Sequence, residues 1–214
     1  MLIDAAAVQS VLKKYKIGVK GVLHVGAHEC EEKSVYNGMG IMDEDVIWID
    51  ANSKLVDAAK KRGIPNCYTA ALDEVERDTT FKITNNGQSS SLLDFGSHSA
   101  SYPWCVVTEV ISLRTQTLTQ FFERNALDCK KYNFWNFDIQ GVELQVFRGS
   151  RDLLQYADCI YVEVNIQEVY KGCGQLHDMD VLLKEYGLER VMTKIEPAGW
   201  GDAVYVRRSL DQTP

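Results

Sequence analysis

The sequence predicts an α/β fold built on an open, mostly parallel sheet with helices on both faces. Residues 21–32, GVLHVGAHECEE, form a short apolar run that breaks at Gly26 and continues into residues able to start a helix. A second apolar run closes on the carboxylate Asp50, roughly twenty residues on, where nucleotide-type sheets hold a ribose-binding acid. Apolar runs then keep alternating with helix-like segments, and the last two are joined by EPAGWGD, whose Pro and Gly residues favour a tight connection. The first two features together point to a ligand carrying an adenosine.

The chain of 214 residues, 45% hydrophobic, is long enough to bury one large core. With no linker-like or repeated stretch, residues 1–214 are expected to form a single domain. Residues 1–18 are expected to supply an N-terminal helix covering the sheet, not a signal peptide, because their spacing is amphipathic. No run is apolar enough to insert in a membrane. The formal charge of −7 disfavours nucleic acid as a partner. Six cysteines, none in a Cys-x-x-Cys pair, argue against a zinc site or a disulfide framework and fit a reducing, cytoplasmic setting.

Taken in order, residues 3–15 read as a helix with Val8, Val11 and Leu12 inward and Lys13 and Lys14 suited to the helix dipole. A strand at 21–25 is followed by a helix at 29–36, whose early Glu29, Glu31 and Glu32 suit its positive end. The second strand, 45–49, leads through a cap at Asn52 or Ser53 into a helix ending near Gly63. A short strand at 67–70 precedes further strands at 79–84 and 106–113, with the polar loop NNGQSSSLL (85–93) and an irregular stretch (96–103) between them.

The next helix is 117–124, and the fourth core strand is 132–137, closing on Asp138. Gly141 opens a helix, the fifth core strand at 159–164 closes on Glu163 and Asn165, and 179–186 is helical. Strands at 189–195 and 203–207 complete seven core strands, the last one antiparallel to its neighbours.

In such a sheet, ligands sit beyond the carboxyl ends of the strands, near the point where strand order reverses. Gly26 to Glu29, Asp50 to Asn52, Asp138 to Gln140, and Glu163 with Asn165 all fall there. Asp138, Glu163 and Asn165 invite a divalent-metal reading. Trp200 and Asp202, flanked by glycines, suit either an acceptor pocket for a sugar ring or a plain hairpin turn. Tyr102, Trp104, Tyr170 and Lys171 are further candidates on the acceptor side. Simpler roles stand beside these: Asp50 as a helix cap, His24 as a hydrogen-bonded core histidine, NNGQSSSLL as a solvated turn, and Glu143 as a backbone anchor.

VLHVGAHECEE, VIWIDAN, NNGQSSSLL, FWNFDIQGVE, IYVEVN, YKGC and GWGDAVYV, in this order and spacing, resemble the FkbM family of S-adenosylmethionine-dependent methyltransferases over residues 21–206. The resemblance implies a class I, Rossmann-like seven-stranded methyltransferase fold. It also implies O-methylation of a saccharide hydroxyl, with S-adenosylhomocysteine as product and no metal required; Asp138 would then hold the acceptor oxygen and accept its proton, with Glu163, His28 and His98 in reserve. The implied acceptor is a glycan or a deoxyhexose such as rhamnose, and the implied setting includes glycosyltransferases.

Carried onto this sequence, the resemblance puts Gly26, Ala27 and His28 at the methionine half of the cofactor and Asp50 on the ribose hydroxyls. Ala51 and Asn52 border the adenosine, Ala71 and Leu72 lie near the base, and the loop with Gln88, Ser89 and Ser90 covers the cofactor. His24, Glu29 and Gln140 stand where the family pattern usually has Asp, Gly and Glu, within the same cofactor-binding set. Two other readings share parts of the pattern: a cofactor-binding module without turnover, and a nicotinamide-dependent oxidoreductase, against which stands the missing G-x-G-x-x-G.

Overall fold

The computed structural model describes residues 1–208. Asp4 caps helix α1 (Ala5–Lys14), its carboxylate accepting the Ala7 N–H, and Lys13 and Lys14 occupy the last turn. Strand β1 (Val22–Val25) leads to α2 (Lys33–Gly38), β2 (Val46–Asp50), α3 (Ser53–Lys61) and β3 (Cys67–Thr69). The Asn52 side chain caps α3 by accepting from Lys54. Strands β4 (Ala71–Leu72) and β5 (Asp78–Thr84), the single turn α4 (His98–Ser101) and strand β6 (Val107–Gln116) follow. Helix α5 (Leu118–Arg124) opens on a capping box between Thr117 and Gln120, and β7 (Phe134–Phe137) comes next. The last described elements are α6 (Glu143–Gly149), β8 (Cys159–Asn165), α7 (Leu176–Lys184), β9 (Leu188–Ile195) and β10 (Trp200–Arg207).

Seven strands form one sheet in the order β3-β2-β1-β7-β8-β10-β9. The first five run parallel, and β10 inserts antiparallel between β8 and β9. This is the predicted Rossmann-like architecture. The chain winds outward from β1 to β3 and then returns to β7 on the other side of β1, so strand order reverses between β1 and β7. Their registers align Val25 with both Ile49 and Phe137, which brings Gly26, Asp50 and Asp138 to one rim.

Alternation along the strands divides the core between two faces. Leu23, Ile49, Trp135 and Phe137 pack with Phe121, Phe147 and Leu183 from α5, α6 and α7. Val22, Trp48, Phe134 and Tyr161 pack with Val8, Tyr36 and Val56 from α1, α2 and α3. Each of the large side chains buried there contributes roughly 1.5–3 kcal/mol over leaving it in water.

Two local expectations shift. The helix expected at 29–36 begins only at Lys33, because His28 (φ 42°) and Cys30 (φ 59°) adopt left-handed conformations and make a tight turn first. The strands expected at 79–84 and 106–113, outside the seven core strands, pair antiparallel as β5 and β6, with β4 alongside, in a separate three-stranded sheet. Strand β10 starts at Trp200, since Gly199 (φ 84°) completes the turn and Glu196 donates to the Trp200 carbonyl at 2.7 Å. Trp200 and Asp202 are therefore strand residues, not members of the connecting turn.

Candidate active site

Two clefts open at the carboxyl rim of the sheet, and they share a border. The first lies over the ends of β1 and β2. Gly26 (φ 88°) turns the chain there, and both its N–H and that of Ala27 donate to Ile49 O, at 2.9 and 3.0 Å. Asp50 accepts the His28 N–H at 2.8 Å on one oxygen and the Asn52 N–H at 2.7 Å on the other. A carboxylate offers about four lone-pair sites, so each oxygen retains one. Burial raises the Asp50 pKa, and the two backbone donors oppose that shift. Leu55, Ala71, Leu72, Phe81, Leu92 and Val142 make the rest of this cleft an apolar slot.

At the shared border, the Gln140 side chain donates from Nε2 to Asp138 Oδ1 at 2.6 Å and to Glu163 Oε2 at 2.5 Å. Its Oε1 in turn accepts from the Tyr170 hydroxyl. Desolvation at the cleft floor raises the pKa of both carboxyl groups, and Glu163 also faces Asp138 and Glu143. A negative charge on Asp138 therefore favours the protonated form of Glu163 beside it. Beneath them Glu143 accepts the N–H of Ile139 at 2.8 Å and of Gly141 at 3.1 Å, anchoring the turn that presents Asp138. Burial pushes Glu143 up to about 7.

The second, broader cleft lies over β8 and β10. Tyr102, Trp104, Tyr170 and Trp200 give it aromatic walls. The Trp200 indole donates to the Tyr102 hydroxyl at 2.8 Å. Asp202 accepts from the Tyr161 hydroxyl and, at 2.5 Å, from the Leu2 N–H, so the first residues of the chain close one side. His28 and Gln88, with Gly26, Asp138 and Gln140, border both clefts.

A sequence model of the family described as "Methyltransferase FkbM domain" matches residues 24–189. The chain belongs to the FkbM family of methyltransferases. No curated protein matches it in a sequence comparison. Among solved structures it is similar to magnesium protoporphyrin IX methyltransferase from Synechocystis PCC 6803 with bound S-adenosylhomocysteine. That similarity is 11% identity over 95% of this chain and 82% of the other, with a TM-score of 0.49. A SAM-dependent methyltransferase from Aquifex aeolicus shows 13% identity over 97% and 91% of the two chains, with a TM-score of 0.40. Likeness at this level leaves the FkbM assignment resting on the sequence match.

Of the cofactor residues expected of an FkbM chain, Gly26, His28, Asp50, Ala51 and Asn52 line the first cleft. Ala71, Leu72, Gln88, Ser90, Asp138 and Gln140 line it as well. Ser89 borders the second cleft instead. The loop of residues 85–93 is tied over this border: Asn86 Nδ2 donates to Ser89 Oγ at 2.9 Å and Ser91 Oγ donates to Gln140 O at 2.7 Å. A Cβ at Gly87 would meet His28 Nε2 at 2.7 Å, and His28 Nδ1 is 2.7 Å from Glu31 Oε1, so that imidazole is held between loop and carboxylate.

Other positions part from the FkbM expectation. His24 points to the α2 face, where its Nδ1 is 2.9 Å from the Tyr36 hydroxyl and its ring lies 4.9 Å from that of Trp48. Burial lowers its pKa, so it is a neutral core histidine at the floor of the second cleft. Ala27 packs into the core, and Glu29 is carried away by the turn at Cys30, its carbonyl accepting from Arg62. Neither lines a cleft. On the acceptor side, His98, Tyr170, Trp200 and Asp202 line the second cleft, whereas Asn165 is buried in β8 and Lys171 faces out.

Sequence reasoning missed Tyr161, Asn136, Tyr36 and the first two residues. Tyr161 precedes Glu163 by two on the same strand face, which was the available signal. The contact of Leu2 with Asp202 spans 200 residues and had none. Among the described residues, no group of three or more His, Cys, Asp or Glu side chains is arranged to hold a metal ion. Nor is any described helix long and apolar enough to cross a membrane.

Proposed function

We propose that this FkbM methyltransferase moves the methyl group of S-adenosylmethionine to a saccharide hydroxyl, with Asp138 taking the proton that the hydroxyl loses. The observation that carries this reading is the position of Asp138, whose side chain borders both clefts at their junction. A group there can touch the transferred methyl from one side and the acceptor oxygen from the other.

The donor set of the first cleft fits the cofactor. Asp50 keeps a lone pair on each oxygen for a vicinal diol, and the apolar slot between Leu72, Phe81 and Leu92 suits a flat base. When bound, the cofactor supplies a methyl group on a sulfonium centre, an electrophile that asks the protein mainly for alignment. Asp138 accepts the hydroxyl proton as the new C–O bond forms, because a sugar hydroxyl is too weak an acid to ionise beforehand. Gln140 donates to Asp138 and so holds it in place without competing for that proton. Aromatic faces beside carboxylates in the second cleft suit a polyhydroxylated ring, with Trp200 stacking on it.

Calorimetric titration with S-adenosylmethionine, S-adenosylhomocysteine and NAD, repeated on Asp50→Ala, tests the first half. The expected result is tight binding of both S-adenosyl ligands, weakened at least about tenfold by the substitution, or by about 1.4 kcal/mol. Binding of NAD alone would overturn the reading in favour of redox chemistry. Methyl transfer to a panel of methyl glycosides, followed by mass spectrometry, tests the second half.

A further inference from the structure

Strand register lays a polar grid across the floor of the second cleft. His24 of β1, Asn136 of β7 and Tyr161 of β8 lie side by side in one row, since Asn136 is the register partner of both its neighbours. Two residues further along, on the same face, come Asp138 and Glu163, with Asp202 of β10 opposite Glu163. All six line the cleft. At about 3.3 Å per residue the two rows are about 7 Å apart. That is comparable to the span of a sugar ring, so a ring whose reacting hydroxyl meets Asp138 reaches the inner row with another.

The inner row has bonding capacity left over. His24 and Asn136 are each only 2% exposed, yet both border the cleft. Asn136 donates from Nδ2 to the Tyr36 hydroxyl at 2.8 Å. Its Oδ1 has no partner among the described residues and, unlike the orphan Oδ1 of Asn165 in β8, is not sealed from solvent. The Tyr36 hydroxyl is fully buried and has His24 Nδ1, at 2.9 Å, to take its proton. The neutral His24 ring therefore carries its own proton on Nε2. Nε2 stands 4.0 Å from Glu32 Oε2, too far for a hydrogen bond. The pair thus offers one donor and one acceptor. Turning the Asn136 amide over exchanges the two roles and leaves the count the same. A hydroxyl matches this pair because it both donates and accepts, whereas an ammonium only donates and a carboxylate only accepts.

We infer that His24 and Asn136 are the specificity-determining residues for the acceptor: they bind a second, non-reacting hydroxyl of the sugar and so fix which hydroxyl is presented to Asp138. This deepens the saccharide reading of the second cleft and rests on it. A sugar lacking that hydroxyl leaves a buried donor and acceptor unpaired, which is the kind of loss that discriminates strongly between otherwise similar substrates.

The test compares the parent protein with Asn136→Ala and with His24→Phe, each first checked by thermal unfolding and by titration with S-adenosylhomocysteine; one folded variant is enough. Cofactor-product affinity is expected to stay within about twofold of the parent. Methyl transfer from S-adenosylmethionine to methyl rhamnoside, methyl glucoside and the monodeoxy derivatives of each is then followed by mass spectrometry. In the parent, removing one particular non-reacting hydroxyl should lower kcat/KM at least about tenfold. In the variants that ratio should fall toward one, and methylation should spread to a second ring position. A ratio that survives the substitutions, or a parent indifferent to every deoxy derivative, would overturn the inference and leave the pair holding only water. A tenfold or greater loss of S-adenosylhomocysteine affinity in the variants would overturn it too, by assigning the pair to the cofactor. If the parent binds S-adenosylhomocysteine and methylates none of the glycosides, the saccharide reading falls and the inference with it. Failure of S-adenosylhomocysteine to bind the parent would remove the cofactor assignment as well.

Discussion

The Tyr170 hydroxyl donates to Oε1 of Gln140, and that contact decides which end of the amide faces the carboxylates. With Oε1 committed to Tyr170, Nε2 points at Asp138 and Glu163 and donates to both. Turned the other way, the amide would set an oxygen against two carboxyl groups. Tyr170→Phe removes the contact that selects between these states. The expected outcome is a kcat lowered about tenfold with cofactor affinity nearly unchanged, as befits the loss of one positioning hydrogen bond. An unchanged kcat would show that Gln140 is oriented by its other neighbours alone.

Asp138→Asn should bind cofactor as the parent does and lose roughly 10²–10⁴ in turnover, the range for removing a general base. The parent protein should also gain activity as pH rises through the ionisation of Asp138. That limb lies above the ordinary carboxylate range because desolvation at the cleft floor, and then the charge of Asp202, raise its pKa. In Gln140→Glu a further carboxyl group would face Asp138 and Glu163 and move the limb to higher pH. A pH–rate profile of the two proteins measures this, and superimposable limbs would dissociate Asp138 from the proton transfer.

The sheet and the position of its rim were legible because they depend on local pattern: apolar runs of strand length, each closing on Gly or a carboxylate. Asp50 and Asp138 could be placed from those runs alone. The turn after Gly26 was not legible, because His28 and Cys30 take left-handed conformations that nothing in their residue types requires. One consequence is that Glu29 turns away from the cleft while its neighbour Glu31 reaches His28. His24 is a different case: alternation in β1 fixes it on the α2 face, so its partnership with Tyr36 follows from strand parity once the strand's limits are known. The pairing of Asp202 with Leu2 and Tyr161 depends on closure of the whole fold, and residue spacing carries no trace of it.

At Gly26 the end of β1 lies directly against the backbone that follows β7. A Cβ at this position would lie 1.8 Å from the Asp138 carbonyl oxygen, and φ is 88°. Gly26→Ala must therefore both strain the backbone and push the β1 and β7 ends apart. The expected loss of stability is about 2 kcal/mol or more, accompanied by loss of cofactor binding, since Asp50 and Asp138 are aligned through this contact. Thermal unfolding and calorimetric titration of the variant check the two effects separately. A stable variant that binds cofactor normally would mean that the strand ends separate without disturbing the site.

Glu143 links the site to the stability of the fold. Its carboxyl group accepts backbone N–H groups from Ile139 and Gly141, which favours the ionised form, yet burial outweighs them and takes its pKa from 4.5 to about 7. The folded state thus binds more protons than the unfolded chain between those two values. Stability contributed by the protonated group is complete below pH 4.5 and is lost as pH rises to about 7. Asp50, Asp138 and Glu163 are shifted in the same direction by desolvation, so their contributions add to the slope and do not offset it. For Glu143 alone the change is on the order of 3 kcal/mol, at about 1.4 kcal/mol per pKa unit. Glu143→Gln keeps an oxygen to accept from Ile139 and removes the titration. Denaturant unfolding of both proteins across this window should show the parent losing stability more steeply toward neutral pH. Parallel curves would mean that Glu143 is already ionised in the acid range and that its backbone partners, not its burial, set its charge.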